Sequence, residues 1–352
     1  MPPPSSLARV MPGRALPRVV IIDDSAVARA AMSRIIVDSA RYSVTATCAS
    51  ASQALTLLKQ TSVDLILLDI EMPHTSGLAA LPELLRIARD AKVLIVSGSA
   101  GEGAAHAVEA LALGAADTLV KPIAGTIGAH FGDALLARLD ALSSPDLSPP
   151  PVARAAPRPA YPFDVVAIGA STGGIHALTS VLRAVPATMQ RPIVVTQHLP
   201  SSFSAFFAAQ ITAASGRPCA LAEDRMRLLP GHIVVAPGDA HVVAVPLGDG
   251  TAALRLSREA ASTGNLPAVD PMFATLAAVY RERLLAVVLS GMGRDGLEGA
   301  RAARAAGGTV VVQDRESSVV WGMPGSVAGA GLAHAVLTPA QIAGFIAANG
   351  RA

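Results

Sequence analysis

Aromatic side chains are scarce in this 352-residue chain. Phe, Trp and Tyr make up 3% of it, with a single tryptophan, although 51% is hydrophobic and alanine supplies much of that share. The deficit argues against a core built on stacked rings and suits helices packed closely on a sheet. Cysteine is nearly absent too. Cys48 and Cys219 stand far apart, each at a predicted strand and neither with metal-ligand spacing nearby. That excludes a disulfide framework and reads as two buried thiols in a reducing compartment. No apolar run approaches the roughly 18 residues that span a bilayer. Nor is there charge of one sign: the formal net charge is +2, which makes no case for a nucleic-acid groove or an anionic membrane surface. Residues 1–17, MPPPSSLARVMPGRALP, lack the apolar stretch of a signal peptide and read as a disordered lead-in. The expectation is a cytoplasmic protein of two or three domains, with no nucleic-acid partner and no membrane insertion.

What the chain does have is a strand–glycine turn–helix at its middle, FDVVAIGASTGG, from Phe163 to Gly174. An apolar run feeds Gly169-Ala170-Ser171-Thr172-Gly173-Gly174, and Ile175, Leu178, Val181 and Leu182 then recur on one helical face. The pattern G-x-S-x-G is that of a nucleophile elbow, where a serine hydroxyl stands clear of the sheet in front of the helix N–H groups. A glycine-rich turn that cradles a phosphate, or merely permits a close crossing, fits the same residues.

Before this turn, residues 18–142 alternate strand and helix. Strands are predicted at 19–22, 43–48, 64–68, 92–97 and 117–120, with helices at 26–37, 51–59, 78–89, 104–113 and 127–142. Five such units imply a doubly wound parallel sheet, whose ligands sit at the carboxyl ends of the strands. At those ends stand Asp23 and Asp24, Asp69, Ser97 and Lys121. Three carboxylates on one rim call for a hard divalent cation such as Mg²⁺. A lysine and a small hydroxyl beside them suit a phosphoryl group. The competing reading is helix capping, which Asp24 could provide for the helix that begins near Ala26.

The stretches VVIIDDS, DLILLDIEMPHTSGL, VLIVSGSA and GAADTLVKP resemble the receiver domain of two-component response regulators. The resemblance implies that Asp69 accepts a phosphoryl group from a histidine kinase. It implies that Asp24 and Asp69 hold Mg²⁺ with the backbone carbonyl of Glu71, that Asp23 acts through water, and that Ser97 and Lys121 contact the phosphoryl oxygens. Two positions depart from the pattern. Ser76 stands where aspartate is common, and Thr118 where receivers carry a switching aromatic, so signalling here is expected to rely on Ser97 and backbone shifts.

Residues 143–162 hold seven prolines and no period, which marks a semi-stiff connector. From 163 to the end the alternation resumes, with strands at 165–168, 193–197, 233–236, 285–290 and 309–312. Runs at 241–245 and 253–257 flank Gly248-Asp249-Gly250 as a hairpin. The fold class is α/β throughout: a five-stranded, flavodoxin-like receiver, then a doubly wound, mostly parallel domain with an antiparallel hairpin.

A serine nucleophile needs a base and a group to orient it. Of eight histidines, His74, His106 and His130 fall in the receiver. His176 falls on the outer side of the helix after Ser171, His232 at the start of a strand, and His334 in a small-residue run. His241, at the mouth of the hairpin, is a reserve. His198 ends a strand on the same rim as Ser171. Asp295 follows another strand and a glycine turn, Gly291-Met292-Gly293, and could equally be a helix cap. The order Ser…His…Asp differs from that of α/β-hydrolases, so this is a separate solution. AIGASTGG, VVTQHLP, HIVVAPGDAH, NLPAVDPMF, VVLSGMGRDG and VVQDRESSVVWGMP resemble, in this order, the chemotaxis protein-glutamate methylesterases. That resemblance implies a triad of Ser171, His198 and Asp295, with Thr172 and Met292 near the oxyanion. It also implies hydrolysis of glutamate methyl esters and glutamines on chemoreceptors, with no cofactor in the catalytic domain. The alternative is a receiver joined to a non-catalytic phosphate-binding or interaction domain.

Overall fold

A computed structural model describes residues 15–98, 102–122, 129–143 and 162–350. Most of the expected lead-in and nearly all of the proline-rich connector lie outside these residues. The first half is built from β1 (Arg18–Ile22), α1 (Ala26–Asp38), β2 (Ser43–Cys48), α2 (Ala51–Leu58), β3 (Leu65–Leu68), α3 (Gly77–Ile87), β4 (Lys92–Ser97), α4 (Glu102–Leu113), β5 (Asp117–Val120) and α5 (Ala129–Ser143). All strands are parallel, in the order β2-β1-β3-β4-β5. Central strands such as β3 are apolar at every position because helices cover both faces.

Serines start three of these helices. Ser25, Ser50 and Ser76 accept the N–H groups of Ala28, Gln53 and Ala79. Ser25 thus takes the capping role open to Asp24. Ser76, the departure from the receiver pattern, is the N-cap of α3.

The second half follows with β6 (Val165–Ala170), α6 (Gly174–Ala184), β7 (Ile193–Gln197), α7 (Ser201–Ser215), β8 (Cys219–Leu221), β9 (Ile233–Val235), β10 (His241–Pro246), β11 (Ala252–Ser257), α8 (Val269–Tyr280), β12 (Leu284–Val288), α9 (Leu297–Ala305), β13 (Thr309–Gln313), α10 (Gly322–Gly329), β14 (Ala335–Leu337) and α11 (Pro339–Asn349). Seven strands form one parallel sheet, in the order β14-β13-β12-β6-β7-β9-β8, and β10 and β11 pair antiparallel as the expected hairpin. Helices α6, α7 and α11 cover one face; α8, α9 and α10 cover the other. The edge strands β8 and β14 have three residues each, too few to show a period. β6 runs two residues past its predicted end, through Gly169. A side chain there would press on the Val269 methyls, with Cγ2 at 2.8 Å, so glycine lets α8 lie against the strand.

The order of the sheets places both sites. Strand order reverses between β1 and β3 in the first sheet and between β12 and β6 in the second, and crevices open beyond the carboxyl ends of strands at such switch points. The halves are not held apart. Residues of α4 join those of α6 and α7 in one continuous apolar core. Cys48 is buried as expected, whereas Cys219 is only partly so. Among the described residues, no helix is long and apolar enough to cross a membrane.

Candidate active site

The switch point of the seven-stranded sheet gathers the three residues singled out by the sequence. Ser171 follows β6, His198 follows β7, and Asp295 follows β12 by way of the glycine turn. His198 Nε2 lies 2.7 Å from Asp295 Oδ2. Donation of the Nε2 proton to this carboxylate leaves Nδ1 as the free basic nitrogen. Ser171 and His198 line one cavity of about 690 Å³ together with Thr172, Met292 and Arg294. The serine and the imidazole share that wall without a hydrogen bond between them, a looseness common in free enzymes.

Asp295 is nearly sealed from solvent, and its four acceptor positions are filled. Oδ2 takes His198 and the Val269 N–H at 2.7 Å; Oδ1 takes the N–H groups of Asp270 and Gly296 at 3.1 and 2.9 Å. Burial pushes this carboxyl up, but the His198 bond and charge and the amides of Val269 and Asp270 outweigh it and hold the group below the usual carboxylate range. The helix-capping role foreseen for Asp295 is real, but the helix is α8 from elsewhere in the chain. The N-cap of α8, Ala268, has no capping side chain, and Asp295 satisfies its first two N–H groups instead. Asp270 returns the bond: its Oδ1 accepts the Gly299 N–H at 2.7 Å in the first turn of α9, whose N-cap is the bare Gly296.

In the serine turn the left-handed conformation falls on a glycine and not on the serine. Ser171 is not among the residues at positive φ; Gly173 takes the left-handed conformation, at φ 73°, as the N-cap of α6. The turn is fastened from outside. Ser171 N–H donates to the Ser290 carbonyl at 3.0 Å, Gln197 Nε2 to the Ser171 carbonyl at 2.9 Å, and Ser290 Oγ to the Thr172 carbonyl at 2.7 Å. Sequence reading missed Gln197 and Ser290 as parts of the site. The available sign was a polar residue at or just past the end of each of two mainly apolar strands. Gly291 has a steric reason: a Cβ there would meet Met323 Sδ and lie 2.9 Å from Ser171 Cβ. The reserve histidine, His241, is structural. Its Nε2 donates to the Glu259 carbonyl and its Nδ1 accepts the Ala268 N–H, both at 2.8 Å.

At the receiver switch point, Asp23, Asp24 and Asp69 bring one oxygen each within 4.8 Å of one another. Lys121 Nζ pairs with Asp23 and Asp69 at 2.8 and 2.6 Å. Burial raises the Asp69 carboxyl against the pull of Lys121. Burial also works against the charge on Lys121, but bonds to Asp23 and Asp69 outweigh it and hold the ammonium up. The donor set is oxygen-only and strongly negative before Lys121 is counted, which fits Mg²⁺. Glu71 approaches through its N–H, which donates to Asp69 Oδ1 at 3.0 Å, and Ser97 Oγ meets the Gly98 carbonyl at 3.4 Å.

The two sites are joined at the start of β5. The Ala116 carbonyl accepts the Gly173 N–H at 2.7 Å, and Asp117 Oδ2 accepts the Thr172 hydroxyl at 2.8 Å. Arg138 pairs with the same oxygen at 2.7 Å and lines the cavity. His176 lies on the outer side of α6, as expected, but that side meets the receiver, where Nδ1 donates to the Ala112 carbonyl at 3.0 Å. None of Ala116, Asp117 or Arg138 carried a sequence signal for the second site.

Gly291→Ala should slow labelling of Ser171 by a fluorophosphonate probe by roughly ten- to a hundredfold, because the added methyl displaces the serine. Mass spectrometry of the labelled peptide reads this out, and a wild-type rate would show that the turn absorbs the methyl.

The family described as CheB methylesterase matches residues 166–346, and the response regulator receiver domain matches residues 19–126. A protein-glutamate methylesterase/protein-glutamine glutaminase 1 of Paramagnetospirillum magneticum is 38% identical over 94% of this chain and 95% of its own. One from Caulobacter vibrioides, numbered 2, is 39% identical over 95% and 99%. The crystal structure of the Thermotoga maritima CheB methylesterase catalytic domain aligns at a TM-score of 0.51 and 35% identity, covering 53% of this chain and 98% of that one. With its catalytic strands, its acidic rim and relatives that match it nearly end to end, this chain belongs to the CheB methylesterase family and carries a response regulator receiver domain in front.

Proposed function

We propose that this protein hydrolyses glutamate methyl esters on chemoreceptors, and deamidates receptor glutamines, under control of phosphorylation at Asp69. The observation that carries the reading is the His198–Asp295 pair, 2.7 Å apart beside Ser171 at the switch point of the sheet. A phosphate cradle has no need of a buried carboxylate bound to an imidazole.

In this reading Ser171 Oγ attacks the side-chain carbonyl of the methylated glutamate while His198 Nδ1 takes its proton. Asp295, already bonded to Nε2, stabilises the imidazolium. The oxyanion is met by N–H groups at the start of α6 and by the Met292 N–H, and loss of one such donor costs roughly 2.7–4 kcal/mol. His198 returns the proton to the departing methoxide, and methanol leaves an acyl-serine. Water, deprotonated by His198, then releases glutamate and the free serine. With glutamine the leaving group is ammonia, a poorer one, so protonation by His198 matters more.

The contacts at β5 suggest how the site is closed. The Ala116 carbonyl occupies an N–H at the start of α6, and Asp117 holds Thr172 beside the serine. Lys121 stands just past the other end of the same strand, about 13 Å along at strand rise. A phosphoryl group on Asp69 would draw Lys121 from its present partners, and β5 would carry the shift to Thr172 without the usual aromatic at position 118. Asp23, Asp24 and Asp69, with the Glu71 carbonyl, would hold Mg²⁺, which when bound offsets negative charge on the transferred phosphoryl group. The phosphodonor would be a chemotaxis histidine kinase.

Ser171→Ala should abolish methanol release from methylated receptor membranes, and near-wild-type release would discard the triad. Asp69→Ala should keep basal release but lose stimulation by a small phosphodonor such as acetyl phosphate; surviving stimulation would place the phosphoryl group elsewhere. Asp117→Ala removes a charge-assisted bond worth about 1.5–3 kcal/mol. It should raise release without phosphodonor by about tenfold, while the stimulated rate checks that the chain is folded.

A further inference from the structure

The carboxylate of Asp270 plays no part in the triad, yet it stands beside it. Its backbone N–H donates to Asp295 Oδ1, and its own Oδ1 accepts the Gly299 N–H. Two helices thus cap one another: Asp295, just before α9, holds the first turn of α8, and Asp270, in α8, holds the first turn of α9. The exchange requires close approach at Gly299, where a Cβ would lie 2.6 Å from Phe273 Cβ. The remaining oxygen, Asp270 Oδ2, is buried and has no hydrogen-bond partner. An unpaired carboxylate oxygen is costly to bury, and helix capping uses only the other one.

We propose that Asp270 is a positioning residue for the hydrolysis: it fixes the turn that carries Asp295 and sets a second carboxyl beside the His198–Asp295 pair, where its negative charge favours the imidazolium that forms as Ser171 attacks. The inference rests on the esterase reading above. Its physical basis is charge at short range in a poorly hydrated site. Burial and then the charge of Asp295, against the Gly299 N–H, push the Asp270 carboxyl up to about 6, so it is largely ionised at neutral pH.

On α9, Arg301 and Glu298 pair with each other on an exposed face. His241, at the start of β10, is bonded at both ring nitrogens to backbone. The charge that acts on Asp270 is that of Asp295, which in turn holds His198, and Arg294, next to Asp295 in the chain, lines the cavity.

Asp270→Asn separates charge from shape, since asparagine keeps an oxygen for Gly299 and removes the charge. In the full chain with phosphodonor, the acid limb of kcat/KM for methanol release should move to lower pH by roughly half to one unit. Stability gives a second reading. A carboxyl raised in the folded state destabilises it as pH climbs from the unfolded value near 3.8 to about 6, because the unfolded chain gives up the proton first. Thermal unfolding of the asparagine variant should lack that fall, because the group that titrates is gone. Asp270→Ala also removes the cap, and should lower kcat with little change in KM, with Asp270→Asn recovering most of the loss. An asparagine variant whose pH profile overlays the wild type would overturn the inference and leave Asp270 as a helix cap. Wild-type protein that released no methanol would overturn the esterase reading and this inference with it.

Discussion

The Asp295 carboxylate accepts four hydrogen bonds while only 1% exposed, and three parts of the catalytic half are fixed through them. One bond orients the imidazole at the end of β7, two close the open start of α8, and one ties down the glycine turn after β12. A buried carboxylate is stable only when so supplied, because each unfilled lone pair would forfeit hydration without return. The same bonds that make the burial affordable also set the orientation of the His198 imidazole. Stability and chemistry are inseparable here: removing the carboxylate would free a helix end as well as the imidazole.

The receiver meets the catalytic half at the start of α6. The first N–H groups of α6 have no capping side chain, since the N-cap is Gly173. In this structure a receiver carbonyl supplies the missing acceptor, and the Asp117 carboxylate binds the neighbouring hydroxyl. Backbone and carboxylate oxygens are natural partners for a helix start, because both present negative charge to its N–H groups. An apolar core shared by α4, α6 and α7 keeps the two halves in register. β5 reaches from that contact to the lysine of the acidic rim, so both sites bear on one short strand.

Much of this was legible along the chain. Strand–helix alternation and the apolar runs of β1, β3, β6 and β12 specify two doubly wound sheets, because strands covered on both faces must be apolar throughout. Polar residues that close such runs mark the rims, and Asp23, Asp69, His198 and the turn before Asp295 were found that way. The rest has local causes. In the sharp turn at Ser171, the left-handed conformation falls on Gly173. The competing reading, capping by Asp24, fails because Ser25 caps α1. β14 is too short to carry a period.

The sequence by itself determined which polar groups stand on the two rims, because strand ends and glycine turns are local features. Only the tertiary structure decided which groups meet. Strand order sets β12 against one side of β6 from more than a hundred residues away in the chain, with β7 on the other side. Helix packing makes Asp295 and Asp270 cap each other's helices, and the docked receiver sets Asp117 on Thr172. These are relations between distant segments, fixed by burial and by unsatisfied helix ends, and no periodicity in either partner records them.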